Sequence, residues 1–278
     1  MKRLIATVAL IVTAISFAFA QEGTVTTKKY RLADFGEKVT KVVLTGNEIT
    51  DAALMQAVVD SWTIAPFEFS DVQEYETLKT VDGYYFLIAA EGFIAKTNEP
   101  TGIVFLSVMK GGVAPEEIVS VPLCPTGVTG GRELVYIGAM VQTVQEFIEK
   151  ARTSEKAAYS DLSVFNSNFD RKGYQKQLYI AKEDLADTVK EADLEKYSDA
   201  DLYFRMDTEV DEIFESGAYN TLCSYSVSPE QPKKGDTCYY MLFEAGTGKL
   251  YYYQKHKISG REGSGISTAD LKKISKGR

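Results

Sequence analysis

The 278 residues predict an α+β fold of two tandem similar domains, each a mainly antiparallel sheet with helices packed on one face. Three observations point there. An aromatic hairpin pattern occurs twice, an amphipathic helix lies before and after each hairpin, and a polar stretch separates the copies. The boundaries are residues 1–20 for a signal peptide, 24–152 for the first domain, 153–173 for a linker and 174–278 for the second domain.

The chain opens with Lys2 and Arg3, an apolar run from Leu4 to Phe17, and Ala18-Phe19-Ala20 before Gln21. This is the layout of a secretory signal cleaved after Ala20, and it places the mature chain in the periplasm or outside the cell. No later run reaches the ~20 apolar residues that a spanning helix needs.

In the first copy, Tyr30-Arg31-Leu32 and Lys41 to Leu44 read as short strands. Leu54, Met55, Val58, Val59 and Trp62 then form a stripe at helical period. A strand follows over 63–70, with Phe67-Glu68-Phe69, and a hairpin from Tyr84–Gly92 through Thr101-Gly102 to Ile103–Met109. Leu134, Ile137, Val141, Val144 and Ile148 mark a long closing helix. The Ser- and Asn-rich stretch from Thr153 to Gly173 reads as a linker.

The second copy repeats the order. Leu178-Tyr179-Ile180 and Leu202 to Met206 read as strands, and Val210, Ile213 and Phe214 as a helix face ending at Gly217. Thr208 with Asp211 resembles a capping box. A strand over 221–228 precedes a second hairpin, Tyr239–Gly246, Thr247-Gly248 and Leu250–Ile258. Ser267 and Asp270 cap the last helix, with Ile266 stapled onto Leu271. Both copies read β-β-α-β-β-β-α, with an offset drifting from about 160 to about 137 residues as loops shorten.

Leu250–Ile258 alternates. Leu250, Tyr252, Gln254, His256 and Ile258 take one face, and Tyr251, Tyr253, Lys255 and Lys257 the other, which is expected to be partly open. That face, with His256 beside it, is the candidate binding surface: tyrosines offer flat amphipathic area and lysines attract anions. Gly260–Gly265 next to it reads either as a closing loop or as a plain connector. Cys223 and Cys238 flank the Pro229–Gly235 turn, and a hairpin centred on Glu230/Gln231 sets them side by side, as a disulfide or as two buried thiols. Cys124, between Pro122 and Pro125, is left over as a structural or incidental thiol.

One His and three Cys leave no material for a multi-His metal centre, and neither a metal nor a cofactor is expected. Gly246-Thr247-Gly248-Lys249 is followed by Leu250 where a phosphate loop needs Ser or Thr, and Glu262 stands where a nucleophile elbow before Ser264 needs Gly. His256 is the only imidazole, and no other element of a catalytic triad accompanies it.

The sequence holds 31 Lys and Arg against 39 Asp and Glu, and the mature chain loses Lys2 and Arg3 from that balance. Eight basic residues gather between Lys249 and Arg278, facing thirteen acidic ones between Glu183 and Glu215. Overall acidity disfavours nucleic acid as a partner. The expected function is a non-enzymatic exported module binding a protein, peptide or glycan; the alternative is a secreted hydrolase working with carboxylates.

Overall fold

The computed structural model describes residues 32–275 except 96, 129, 199 and 200. The segment expected as a signal (residues 1–20), Tyr30 and Arg31 of the first expected strand, and Lys276 and Arg278 of the basic end lie outside the described residues.

The first unit runs β1 (Val39–Leu44), α1 (Glu48–Ser61), β2 (Phe67–Asp71), α2 (Val72–Leu78), β3 (Tyr84–Phe93), β4 (Pro100–Lys110), β5 (Glu116–Pro125) and α3 (Glu133–Thr153). The short α4 (Glu155–Ala158) and α5 (Asn166–Lys172) follow. The second unit runs β6 (Gln177–Ala181), α6 (Glu191–Tyr197), β7 (Leu202–Arg205), α7 (Asp207–Glu215), β8 (Thr221–Val227), β9 (Thr237–Glu244), β10 (Leu250–Lys257) and α8 (Thr268–Ile274).

The sheets have the same topology, β2-β1-β3-β4-β5 and β7-β6-β8-β9-β10. β1 and β6 each pair parallel on both sides, while β3, β4 and β5, and likewise β8, β9 and β10, pair antiparallel with one another. The fold is thus α+β with two similar mixed sheets. Each unit reads β-α-β-α-β-β-β-α, with the long antiparallel ladders carrying most of the pairing.

This order corrects the expected correspondence by one strand. From Val39 to Gln177, Phe67 to Leu202, Tyr84 to Thr221, Pro100 to Thr237, Glu116 to Leu250 and Glu133 to Thr268, matching elements are displaced by 134 to 138 residues. The near-constant offset replaces the drifting one. Two features hid it. β5 carries Pro122 and Pro125, which argue against a strand but are tolerated at an edge and beside the bulge between Val104 and Phe105. α2 follows β2 without a loop, its first turn closed by Glu74 N–H donating to Asp71 Oδ1 at 2.8 Å.

Helices lie on both faces of each sheet, where one covered face was expected. Phe86, Ile88 and Met109 pack with Tyr75 of α2 on the outside of the first sheet. Leu178, Leu222, Tyr240 and Leu242 pack with Phe169 of α5 and Leu271 and Ile274 of α8 on the outside of the second. Both inner faces join α1, α3 and α7 in one continuous core. Leu87, Phe105 and Val121 from one sheet share it with Tyr225, Met241 and Phe243 from the other. Of the expected stripe on α1, Leu54, Val58 and Trp62 enter this core, whereas Met55 and Val59 face solvent. The segment expected as a linker is folded: a 3-10 turn at Leu162–Phe165 and α5 pack over β10.

One polar cluster stands inside this apolar junction. Arg132, at the entry of α3, donates from Nε and Nη2 to Asp211 of α7 (2.9–3.0 Å) and from Nη1 to Asp184 Oδ1 (2.8 Å), and Nη2 reaches the Ser224 carbonyl (3.2 Å). Its guanidinium lies 5.7 and 5.4 Å from the ring centres of Tyr136 and Tyr225. Asp184 is saturated in turn by Ser224 Oγ, Ser226 N–H and Ser226 Oγ at 2.6, 3.0 and 3.0 Å. Burial works against the arginine's charge, but the two carboxylates outweigh it and raise its basicity above the ordinary value. Asp211 is therefore no capping residue for α7; Met206 N–H is closed instead by Glu209 Oε2 at 3.1 Å.

Arg132→Ala leaves Asp184 and Asp211 buried without their cation. Breaking such a group typically costs about 3–5 kcal/mol, and chemical denaturation of the variant should lose stability on that scale. A loss below about 1 kcal/mol would mean that the cluster is solvated rather than buried.

Candidate functional site

The expected binding face is not open. A register shift between Leu250 and Tyr252 breaks the alternation along β10. Leu250 consequently turns into the shared core with Tyr253, whose own face of the sheet is covered there, while Tyr251 joins Tyr252 in the outer one. Tyr251 and Tyr253 are 7 and 5 % exposed. Tyr251 lies under Lys176, whose Nζ is 5.2 Å from the ring centre and donates to Glu244 Oε1 at 2.6 Å. Lys255 and Lys257 do reach solvent, paired with Asp161 (3.2 Å) and Thr237 Oγ1 (2.7 Å).

His256 points to the other side of the sheet. Its Nε2 is 3.3 Å from the Gly263 carbonyl and its Nδ1 is 3.6 Å from Asp270 Oδ2. Asp270 is already held by Ser267 Oγ (2.7 Å), Ser267 N–H (3.2 Å) and Lys273 (3.2 Å) as the cap of α8. Serine, carboxylate and imidazole thus meet, but the serine is bound to the carboxylate and not to the imidazole. The Gly260–Gly265 loop is a connector. Ile266 N–H donates to Asp184 O at 2.7 Å, and Gly265 lies so close that a Cβ there would fall 2.6 Å from the same carbonyl.

The cysteines are free and buried, which corrects the disulfide expectation. Val227 opposite Tyr239 and Tyr225 opposite Met241 centre the hairpin on Lys233 rather than on Glu230/Gln231. The slip is an odd number of positions, so it changes faces as well as height. Cys223 sits opposite Phe243 in the shared core. Cys238 lies beside His256 and accepts from Gly265 N–H at 3.1 Å. Burial pushes each of the thiols Cys124, Cys223 and Cys238 up to about 12, so none supplies a nucleophilic thiolate near neutrality. Among the described residues no group of three or more His, Cys, Asp or Glu is placed to hold a metal, and no helix is long and apolar enough to cross a membrane.

What the structure leaves unoccupied is a sheet edge. The outer edge of β10 is plugged by Asn166, whose Oδ1 accepts from Tyr253 N–H (2.8 Å) and whose Nδ2 donates to Tyr253 O (3.0 Å); Asn168 does the same for Leu250 O (2.9 Å). On β5, the Leu123 carbonyl accepts the Tyr225 hydroxyl at 2.6 Å. On β7, Leu178 N–H donating to Asp201 O (2.7 Å) makes Leu202 and Phe204 the outward residues, and Arg205 Nη1 covers Phe204 O at 2.9 Å.

β2 has no such plug among the described residues. A parallel strand aims its backbone groups alternately to either side. Thr40 N–H donating to Pro66 O at 2.8 Å therefore commits Pro66, Glu68 and Ser70 to β1. The N–H and C=O groups of Phe67 and Phe69 then project from the open edge. Their rings, 5.7 Å apart and edge-on, are partly buried against the shared core on one side of the strand. On the other side stands Glu68, 60 % exposed, bound with Glu74 to the nearly buried Lys41 at 2.7 Å each. The sequence marks this strand only by Phe67-Glu68-Phe69; which strand forms an edge is set by tertiary pairing.

The chain matches no family model, no curated protein and no solved structure.

Two outcomes check this description. Unfolded chain should titrate three thiols, while native chain at pH 8 reacts only as fast as it opens; a rapid native thiol would contradict the burial. The second concerns Glu244. Burial tends to raise its carboxyl, but hydrogen bonds from Lys176 and Thr247 and the charges of Lys176 and Lys249 outweigh it and hold it below the usual 4.5. A lowered carboxyl contributes stability above its unfolded value and loses it as pH falls through the folded one. Glu244→Gln should therefore destabilise at pH 7 and flatten the stability loss below pH 4.5; an unchanged acid limb would exclude the pair as a contributor.

Proposed function

We propose that this protein is an exported, non-enzymatic binding module that takes an extended segment of a partner protein or peptide as an added strand along β2. The observation that carries the reading is the contrast among edges: a side chain takes the Leu123 carbonyl on β5, the Phe204 carbonyl on β7, and Tyr253 N–H, Tyr253 O and Leu250 O on β10, and among the described residues none takes a backbone group of Phe67 or Phe69. Unpaired edges template further pairing, and folded proteins ordinarily block them. Strand addition draws affinity from main-chain hydrogen bonds and selectivity from alternate side chains.

The carboxylates that a hydrolase would recruit are engaged elsewhere. Asp184 and Asp211 hold Arg132, Asp270 caps α8, and both Glu133 oxygens accept from Gly131 N–H at 3.0 and 3.1 Å. Export rests on the amino-terminal signal pattern alone.

A 15N-labelled chain titrated with short extended peptides tests the reading. The Phe67 and Phe69 amides should shift first, and N-methylating the peptide at alternate positions should abolish the effect in one of the two registers. Peptides that bind while leaving both amides unmoved would refute edge pairing.

A further inference from the structure

We infer that the segment seated on β2 is a strand alternating apolar with cationic residues, an inference resting on the edge reading above. Successive side chains of an added strand fall on opposite faces. On one face they meet Phe67 and Phe69, which are partly buried and present ring surface to a neighbour. On the other they meet Glu68, whose carboxylate is more than half exposed although Lys41 already touches it.

Lys41 divides its charge between two acids. Its ammonium is 10 % exposed and binds Glu68 and Glu74 at 2.7 Å each, while lying 5.7 Å from the centre of the Tyr84 ring. One cation against two carboxylates leaves a net negative charge on that face of the edge. An arriving Lys or Arg completes the balance by taking Glu68, with Lys41 retained by Glu74. Opposite charges across neighbouring strands stabilise, and like charges directly opposite destabilise.

The same charges argue against a second copy of this chain. Pairing β2 with its own equivalent brings the two Glu68 side chains onto one face of the joint ladder. β7, the topological counterpart of β2, has the reverse character, with Arg205 stretched over Tyr203 (5.6 Å to the ring centre) and over the outward carbonyl of Phe204. The two equivalent edges of the two similar units thus differ, one with a cation on its Phe204 carbonyl and the other open and acidic.

Three capped heptamers test this on the full mature chain: alternating Lys and Val, alternating Glu and Val, and alternating Ser and Val, with affinity read by anisotropy and location by the Phe67 and Phe69 amides. The lysine peptide should bind about tenfold more tightly than the serine peptide, with the glutamate peptide weaker still and the gap closing at high salt. Glu68→Lys should reverse the order without moving the amides that respond. Equal binding of all three at those amides overturns the charge inference and leaves the edge reading intact. Binding of none overturns both. A lysine peptide that binds elsewhere, insensitive to Glu68→Lys, also overturns the inference.

Discussion

The Arg132 cluster fixes how the two sheets meet, and the remaining architecture follows from that meeting. One guanidinium from the entry of α3 binds a carboxylate after β6 and another on α7. It therefore ties the end of the first unit to the first two connections of the second. Around it Tyr136 stacks on Phe214 and approaches Tyr225, with ring centres 4.4 and 4.7 Å apart. A buried ion group contributes little stability relative to apolar packing, but it penalises any arrangement that leaves its members unpaired. Here that penalty specifies a single relative placement of two similar units.

Once both inner faces are consumed in a common core and both outer faces carry helices, the exchangeable surface of a sheet protein is reduced to its edges. The chain treats those edges unequally. Two asparagines, one tyrosine and one arginine serve β10, β5 and β7, and each donates or accepts where another strand's backbone would. The asparagines lie just after the connecting segment's 3-10 turn, which explains why a polar, Ser- and Asn-rich stretch folds tightly: its amides have backbone groups to satisfy. β2 stands apart because its nearest charged side chains, Glu68 and Lys41, are engaged with one another on one face rather than laid across the edge.

Much of this was legible in the residues, for reasons of period and capping. The long stripe from Leu134 to Ile148 lies within α3, and the Ser267–Asp270 box at α8 is formed as the spacing implies. Of the ten strands among the described residues, nine coincide with apolar or aromatic runs. β5 was hidden by Pro122 and Pro125, because a sequence does not say which strand is at an edge and can carry proline. That omission moved the internal repeat by one strand, and a turn centre misplaced by an odd half-step moved Cys223 and Cys238 to opposite faces. The tyrosine face failed at a single bulge, since one extra residue between Leu250 and Tyr252 inverts everything before it. The open edge and the Arg132 cluster were illegible in principle: both depend on which elements become neighbours in space, for the cluster across more than fifty residues.

Residue-resolved amide exchange on the full chain, without any peptide, tests the account at its centre. With β2 an open edge, the Phe67 and Phe69 amides exchange at rates close to unprotected backbone, while those of Glu68 and Ser70 between and beside them are slowed by their bonds to β1. Protection of Phe67 and Phe69 equal to that of Glu68 would mean that the edge is already paired, and the binding surface assigned to this protein would not exist.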